Sequence, residues 1–219
     1  MRWRVLLQGH EFDLDALGRL FPDGDMVIIQ QDDYWYLAGD RIIGESADEA
    51  RHSAMNVLPL INGIGRVHDA SYRPVCLADS VINEDTLQTR HVFAEVRMEG
   101  RSRLTIGGDP PSATPLRSKF DSDPVLMEAV MRIGKSDTHS WDDLYKVYEV
   151  LKDGAGGRDS LLQRIGLTKK ELDRFTRTAN HPAASGELAR HARMREQPPA
   201  DPLSLEEGRQ FIREMLQRW

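Results

Sequence analysis

The chain changes character at one stretch, Gly107-Gly108-Asp109-Pro110-Pro111-Ser112-Ala113-Thr114-Pro115. Glycine and proline at this density interrupt helices and strands alike, so the stretch is typical of a linker. Before it, apolar residues alternate at every second position; after it, they recur every three or four positions. We therefore predict two domains, over residues 1–107 and 123–219, joined by a linker over residues 108–122.

The N-terminal half has the pattern of an antiparallel sheet. Its first apolar run, Trp3, Val5 and Leu7, occupies alternate positions as a half-buried strand does. Two alternating runs on either side of turn residues predict a β-hairpin over residues 91–106. Further strands are indicated by β-branched and aromatic residues at 27–31, 34–37 and 75–82.

One helix interrupts the predicted sheet. Ser46 and Glu49 have the spacing of a capping box, in which each side chain bonds a free amide at the start of the helix. Pro59 lies inside the apolar pattern that follows, so we expect a kink there or an end just before it. Asn62-Gly63 and Gly65 are typical of turns and are expected to reverse the chain. The helix is expected to pack on the sheet.

The C-terminal half is predicted to be a helical bundle. Helix start signals recur along it, and apolar residues lie three or four positions apart. The start signals are Asp123-Pro124, Ser140 with Asp143, Thr168 with Glu171, and Ser204 with Glu207. The predicted fold class is therefore α+β, with a mainly antiparallel N-terminal sheet and one packed helix followed by an all-α C-terminal bundle.

Composition excludes several classes of protein. Of the 219 residues, 40% are hydrophobic and 29% are charged, and no apolar run is long enough to span a membrane. The N-terminus lacks the apolar stretch of a signal peptide, so we expect a cytoplasmic location. Cys76 is the only cysteine, which excludes an internal disulfide, and we interpret it as a small buried residue. No ligand spacing predicts a metal site, and no cofactor is expected.

Charge is unevenly distributed along the chain. Residues 158–195 contain nine basic and four acidic residues, a net charge of +5, whereas the whole chain carries −6. A basic sector on an acidic body can bind RNA, another polyanion or an acidic protein surface. The alternative is that these cations only solvate the outer faces of helices. The candidate polyanion-binding residues are Lys169, Lys170, Arg177, Arg190, His191 and Arg193.

Part of this sector resembles a helix-turn-helix. Residues 159–172 contain a short helical pattern, a glycine at position 166 and a second helix that Thr168 and Glu171 can cap. A DNA-binding protein of this type presents polar side chains near the start of its second helix, where Lys169, Lys170 and Asp173 lie. Helix hairpins with a glycine turn also occur in bundles that bind nothing, so both interpretations stay open.

The most suggestive pair of residues in the sector is Arg174 and His181. An arginine can hold a phosphate while a histidine moves a proton, which is the combination needed for metal-independent cleavage of RNA. A helical C-terminal half with an arginine, six residues and a histidine resembles the HEPN superfamily, and this match covers eight residues. The resemblance implies a homodimer with a ribonuclease site at its interface, as in bacterial antiviral proteins and toxins that join a sensing domain to such a bundle.

His181 also has a structural interpretation. It precedes Pro182, and a residue before proline avoids the α region, so Asn180-His181 can end a helix near its negative pole. Our leading hypothesis is a non-enzymatic, cytoplasmic two-domain protein, a binding or self-association module with a basic helical sector. The alternatives are a HEPN-like ribonuclease with Arg174 and His181 as catalytic residues, and a helix-turn-helix DNA-binding protein.

Overall fold

The computed structural model describes residues 2–86, 88–91, 119–120, 122–135, 140–186, 189–191 and 197–219. They form two compact units: the sheet unit, residues 1–65 and 72–119, and the helical unit, residues 66–71 and 120–219. The predicted α+β fold class is confirmed. The predicted linker over residues 108–122 and the hairpin after His91 lie largely outside the described residues and stay predictions.

Among the described residues, the sheet unit is built from five strands and two helices. In chain order these are β1 (Trp3–Gln8), α1 (Glu11–Leu20), β2 (Val27–Gln31), β3 (Tyr34–Ala38), α2 (Ala47–His68), β4 (Cys76–Asn83) and β5 (Gln88–His91). The strand order is β2-β3-β1-β4-β5, and all neighbouring strands are antiparallel. Alternate side chains of β1, from Trp3, Val5 and Leu7, are buried as their spacing predicts.

Helix α1 is not predicted from the sequence. Its start is capped by histidine, an unusual N-cap, because the imidazole Nδ1 of His10 accepts a hydrogen bond from the Phe12 amide at 3.3 Å. Gly18 lies against the indole ring of Trp35, where a Cβ atom would come within 2.4 Å of the ring. Helix α1 therefore packs against β3, and the sheet unit has two helices where the sequence predicts one.

Of the two alternatives predicted at Pro59, a kink or an end of the helix, the end is wrong, and so is the predicted chain reversal at Asn62-Gly63 and Gly65. Helix α2 continues through Pro59 to His68 and includes Asn62, Gly63 and Gly65. Every residue from 60 to 67 is buried, and burial of the apolar side chains among them, from Leu60, Ile61, Ile64 and Val67, offsets the hydrogen bond that proline removes. The tyrosine ring of Tyr72 lies so close to Gly65 that a Cβ atom there would approach it to 2.8 Å.

A buried hydrogen-bond network holds the chain before β4 against α2. The Asn62 amide oxygen accepts bonds from the Tyr72 hydroxyl at 2.6 Å and the Val75 N–H at 3.0 Å. Its amide nitrogen donates to the Val75 carbonyl at 3.0 Å. Both backbone groups of Val75 are thus satisfied inside the unit. The neighbouring Cys76 side chain is exposed rather than buried as predicted, because successive side chains of an extended chain point to opposite faces and the preceding Val75 is the buried one.

The helical unit contains six further helices among the described residues. They are α3 (Pro124–Ile133), α4 (Trp141–Gly154), α5 (Arg158–Ile165), α6 (Lys169–Asn180), α7 (Pro182–Ser185) and α8 (Leu205–Arg218). The four predicted start signals are confirmed: Asp123, Ser140, Thr168 and Ser204 are N-caps, and the last three form full capping boxes. The fully buried ring of Phe175 lies 4.9 Å from that of Phe211 and 6.0 Å from that of Trp141, between centroids.

Candidate functional site

Helices α5 and α6 and the turn between them, which we call the α5–α6 hairpin, are the elements that the sequence predicts over residues 159–172. Three residues, 166–168, join Ile165 to Lys169. Gly166 adopts the left-handed region at φ 65° and ends α5 by donating its N–H to the Leu162 carbonyl. Its neighbour Leu167 is buried and helps to fix the turn. A short helix, a glycine turn and a capped second helix are the parts of a helix-turn-helix.

The start of α6 is fixed by a reciprocal cap. Thr168 Oγ1 accepts a hydrogen bond from the Glu171 amide at 3.3 Å, and the Glu171 carboxylate accepts bonds from the Thr168 hydroxyl at 2.6 Å and the Thr168 amide at 2.8 Å. Both bonds from Thr168 lower the pKa of the Glu171 carboxyl group, and the hydroxyl bond contributes more than the amide bond. This carboxylate is therefore occupied by the cap and does not pair with Lys169 or Lys170.

Three of the predicted polyanion-binding cations are exposed on α6. Lys169 and Lys170 begin the helix, and within the part of the chain that the structure describes they form neither a hydrogen bond nor an ion pair. Arg177 lies two turns further along and donates from Nη2 to the Gln197 carbonyl at 3.2 Å. Lys170 and Arg177 are seven positions apart and share one face of the helix.

Most other arginines of the basic sector pair with carboxylates of the helical unit. A surface pair of this kind adds little stability, but it neutralises the cation. The pairs are Arg158 with Asp173, Arg164 with Asp123, Arg174 with Asp201, and Arg190 with Glu149. Three of these acids lie outside residues 158–195 in the sequence. The positive surface of α5 and α6 is therefore smaller than the net charge of the sequence segment suggests.

Arg190, a predicted polyanion-binding residue, packs against α4. Its guanidinium lies 4.2 Å above the ring of Tyr145 and donates to Glu149 at 3.0 Å. Its backbone N–H donates to the Ala179 carbonyl at 2.9 Å. The next residue, His191, is exposed. Arg193, another predicted polyanion-binding residue, lies outside the described residues.

The two predicted catalytic residues have different surroundings. Arg174 is one-third exposed (34%) and faces Asp201, to which its Nη2 donates at 3.0 Å. His181 is buried, with 6% of its surface accessible, and its backbone ends α6 and begins α7. Its Nδ1 accepts a hydrogen bond from the Ala183 amide at 3.1 Å. The imidazole thus occupies a capping position, and the assignment of both residues to catalysis stays a prediction.

Substitutions of His181 can distinguish a capping role from a role as catalytic base. Asparagine is a preferred N-cap but cannot act as an acid or base, so we expect His181→Asn to keep most of the stability that His181→Ala loses, about 1 kcal/mol or more. Urea unfolding of both variants measures this difference. We also expect the wild-type protein to leave RNA intact; cleavage by the wild type that both variants abolish would contradict the capping role.

Asp123 joins three helices of this unit. The sequence predicts its role as a helix cap but not its bonds to the other two helices. Its carboxylate caps α3 and accepts bonds from Trp219 Nε1 at 2.7 Å and Arg164 Nη2 at 3.3 Å. Burial alone would raise the pKa of Asp123, but the bonds from Trp219 and the α3 amides, with the charge of Arg164, lower it. The Arg164 guanidinium also stacks 3.8 Å above the Trp219 ring. Asp123 therefore fixes the C-terminal end of α5.

The described residues contain no group of three or more histidine, cysteine or acidic side chains placed to hold a metal ion. Within the same residues, no helix is long and apolar enough to cross a bilayer. Comparison of the chain with protein-family models, curated proteins and solved structures gives no match. The α5–α6 hairpin with its exposed cations is therefore the candidate site on the strength of its own geometry.

Proposed function

We propose that the protein is a binding module rather than an enzyme, and that its helical unit binds duplex DNA through α5 and α6. The observation that carries the proposal is the capped second helix of the hairpin, which presents Lys169 and Lys170 at its first turn without partners among the described residues. In helix-turn-helix proteins, the start of the second helix approaches the DNA. A cytoplasmic location, which the sequence predicts, is compatible with such a partner.

The chemistry of these side chains suits the sugar–phosphate backbone. A lysine ammonium is a compact charge that binds phosphate without a fixed geometry, and neither Lys169 nor Lys170 has to give up an ion pair of the described chain to do so. Arg177, on the same face as Lys170, gives up one bond to a carbonyl. Three exposed cations on one helix can contact phosphates and release their counterions, which makes the affinity depend on salt.

The proposal predicts a salt-sensitive affinity for a duplex of about 20 base pairs. Three phosphate contacts give a slope of log K against log salt near −2.7, so the affinity should fall about 40-fold between 50 and 200 mM salt. Replacing Lys169 and Lys170 by glutamine should weaken binding about tenfold or more at 50 mM and bring the slope to about −0.9. Fluorescence anisotropy with a labelled duplex measures both quantities.

A matched control removes two lysines elsewhere in the helical unit. Lys135, which follows α3, and Lys146, on α4, are both exposed. The double variant Lys135→Gln/Lys146→Gln has the same net charge as Lys169→Gln/Lys170→Gln, and its salt slope should equal that of the wild type. Salt-independent binding, no binding, equal losses in the two double variants, or tighter binding of a single-stranded RNA of the same length would contradict the proposal.

A further inference from the structure

Residues 197–203, which we call the 197–203 segment, run beside α6. The Gln197 carbonyl accepts a hydrogen bond from Arg177 at 3.2 Å. The Asp201 carbonyl accepts one from Arg174 Nε at 2.9 Å, and the Asp201 carboxylate accepts one from Arg174 Nη2 at 3.0 Å. Arg174 and Arg177 of α6 therefore both donate to oxygen atoms of the 197–203 segment.

The backbone of this segment is anchored, whereas its Asp201 carboxylate is exposed to solvent. Pro199 and Leu203 are buried, and the Leu203 amide donates to the buried Thr178 Oγ1 at 3.2 Å. The Asp201 side chain, in contrast, is 81% exposed. A carboxylate with two oxygens against a guanidinium occupies the position that a phosphate takes in an arginine–phosphate pair. An exposed pair of this kind adds little stability, so a phosphate can bind in its place once the carboxylate charge is removed.

The position of Arg174 on the helix completes the candidate surface. Lys170, Arg174 and Arg177 lie at positions i, i+4 and i+7 and so form one row along α6. Lys170 lacks a partner in the described chain, Arg177 has a carbonyl, and Arg174 has the carboxylate of Asp201, with Glu207 Oε1 a further 3.8 Å from its Nη2. Arg174 is thus the member of the row whose charge is cancelled inside the chain.

We propose that Arg174 is a further phosphate-binding residue of this surface and that the Asp201 carboxylate competes with a DNA phosphate for it, so that the wild-type protein binds through the other three cations. This inference rests on the proposed function. Asp201 then determines both the affinity for the duplex and the number of its phosphates that the cations of α6 contact. The anchored backbone keeps the Asp201 carboxylate beside Arg174, which favours this carboxylate over a phosphate in the wild-type protein.

The test is the substitution Asp201→Asn, assayed with the labelled duplex. Asparagine keeps the size of the side chain and the backbone carbonyl that accepts from Arg174 Nε, but it removes the competing charge. One additional phosphate contact should tighten binding about 3- to 10-fold at 100 mM salt and steepen the slope by about 0.9. Asp159→Asn, which removes an exposed charge from α5 in the same hairpin, should leave the slope unchanged.

A double-mutant cycle separates this role from a general change of charge. In an Arg174→Gln background, Asp201→Asn should no longer steepen the slope, because no guanidinium is released. An unchanged slope in the single variant, or the same gain in the Arg174→Gln background, would overturn the inference. If binding still depends on Lys169 and Lys170 in that case, the proposed function stands. If neither the wild type nor Asp201→Asn binds the duplex at 50 mM salt, both proposals are overturned.

Discussion

Replacing Phe175 by alanine is expected to destabilise the helical unit by about 3 to 5 kcal/mol. The Phe175 ring is fully buried and stacks on Phe211 at 4.9 Å between centroids. It also contacts the rings of Trp141, Tyr145 and Tyr148, on α4, at 6.0 to 6.5 Å. Alanine would leave a cavity among large rings that cannot all move inward, so both the burial of the ring and the dispersion contacts around it would be lost.

The measurement for Phe175→Ala is hydrogen exchange followed by mass spectrometry. Peptides from α4, α6 and α8 should exchange faster by the factor that corresponds to the lost free energy of unfolding. Phe175→Leu fills more of the space and should lose clearly less. If the alanine variant cost less than about 1 kcal/mol, or no more than the leucine variant, Phe175 would not be the centre of this core.

Replacing Asn62 by alanine is expected to cost the sheet unit about 3 kcal/mol or more. The substitution removes the bonds that Asn62 makes to the Tyr72 hydroxyl and to both backbone groups of Val75, and all of these groups are buried. An unsatisfied buried donor or acceptor costs about 1 to 3 kcal/mol. Alanine favours the helix more than asparagine does, but that gain is only about half a kcal/mol.

The readout for Asn62→Ala is exchange of the Val75 amide hydrogen, followed by NMR, because this amide donates directly to the Asn62 side chain. Tyr72→Phe is the matched control: it removes one donor and leaves both bonds to Val75, so it should cost about 1 kcal/mol and protect the Val75 amide almost as well as the wild type. Equal effects of the two substitutions would show that the hydroxyl alone carries the network.

The parts of the fold that could be predicted from the sequence are those that local chemistry decides. A capping box spans four residues, so Ser140, Thr168 and Ser204 reveal their helices without knowledge of the tertiary structure. The alternation of Trp3, Val5 and Leu7 likewise reveals β1. Propensity failed where packing decides: Pro59 argues against a helix, but the residues after it are buried and the helix continues.

The candidate site could be predicted only in part. The α5–α6 hairpin follows from Gly166 and Thr168, which are local signals. The charge of its surface does not, because the partners of Arg174 and Arg164 lie 27 and 41 positions away in the chain. A count of charges along a segment therefore overestimates the positive surface when distant acids fold onto it. Nothing in the sequence around Asp201 indicates its pairing with Arg174, since it lies between Ala200 and Pro202 in a loop.

The double role of His181 restricts how the length of this chain can vary. Because its backbone closes α6 and opens α7, no spacer exists there to absorb an added residue. One residue inserted before it would rotate everything that follows by about 100° around the helix axis. The imidazole would then leave its buried position, and the Ser185 hydroxyl would lose the carbonyl of Thr178. An insertion or deletion at this junction is therefore expected to destabilise the helical unit.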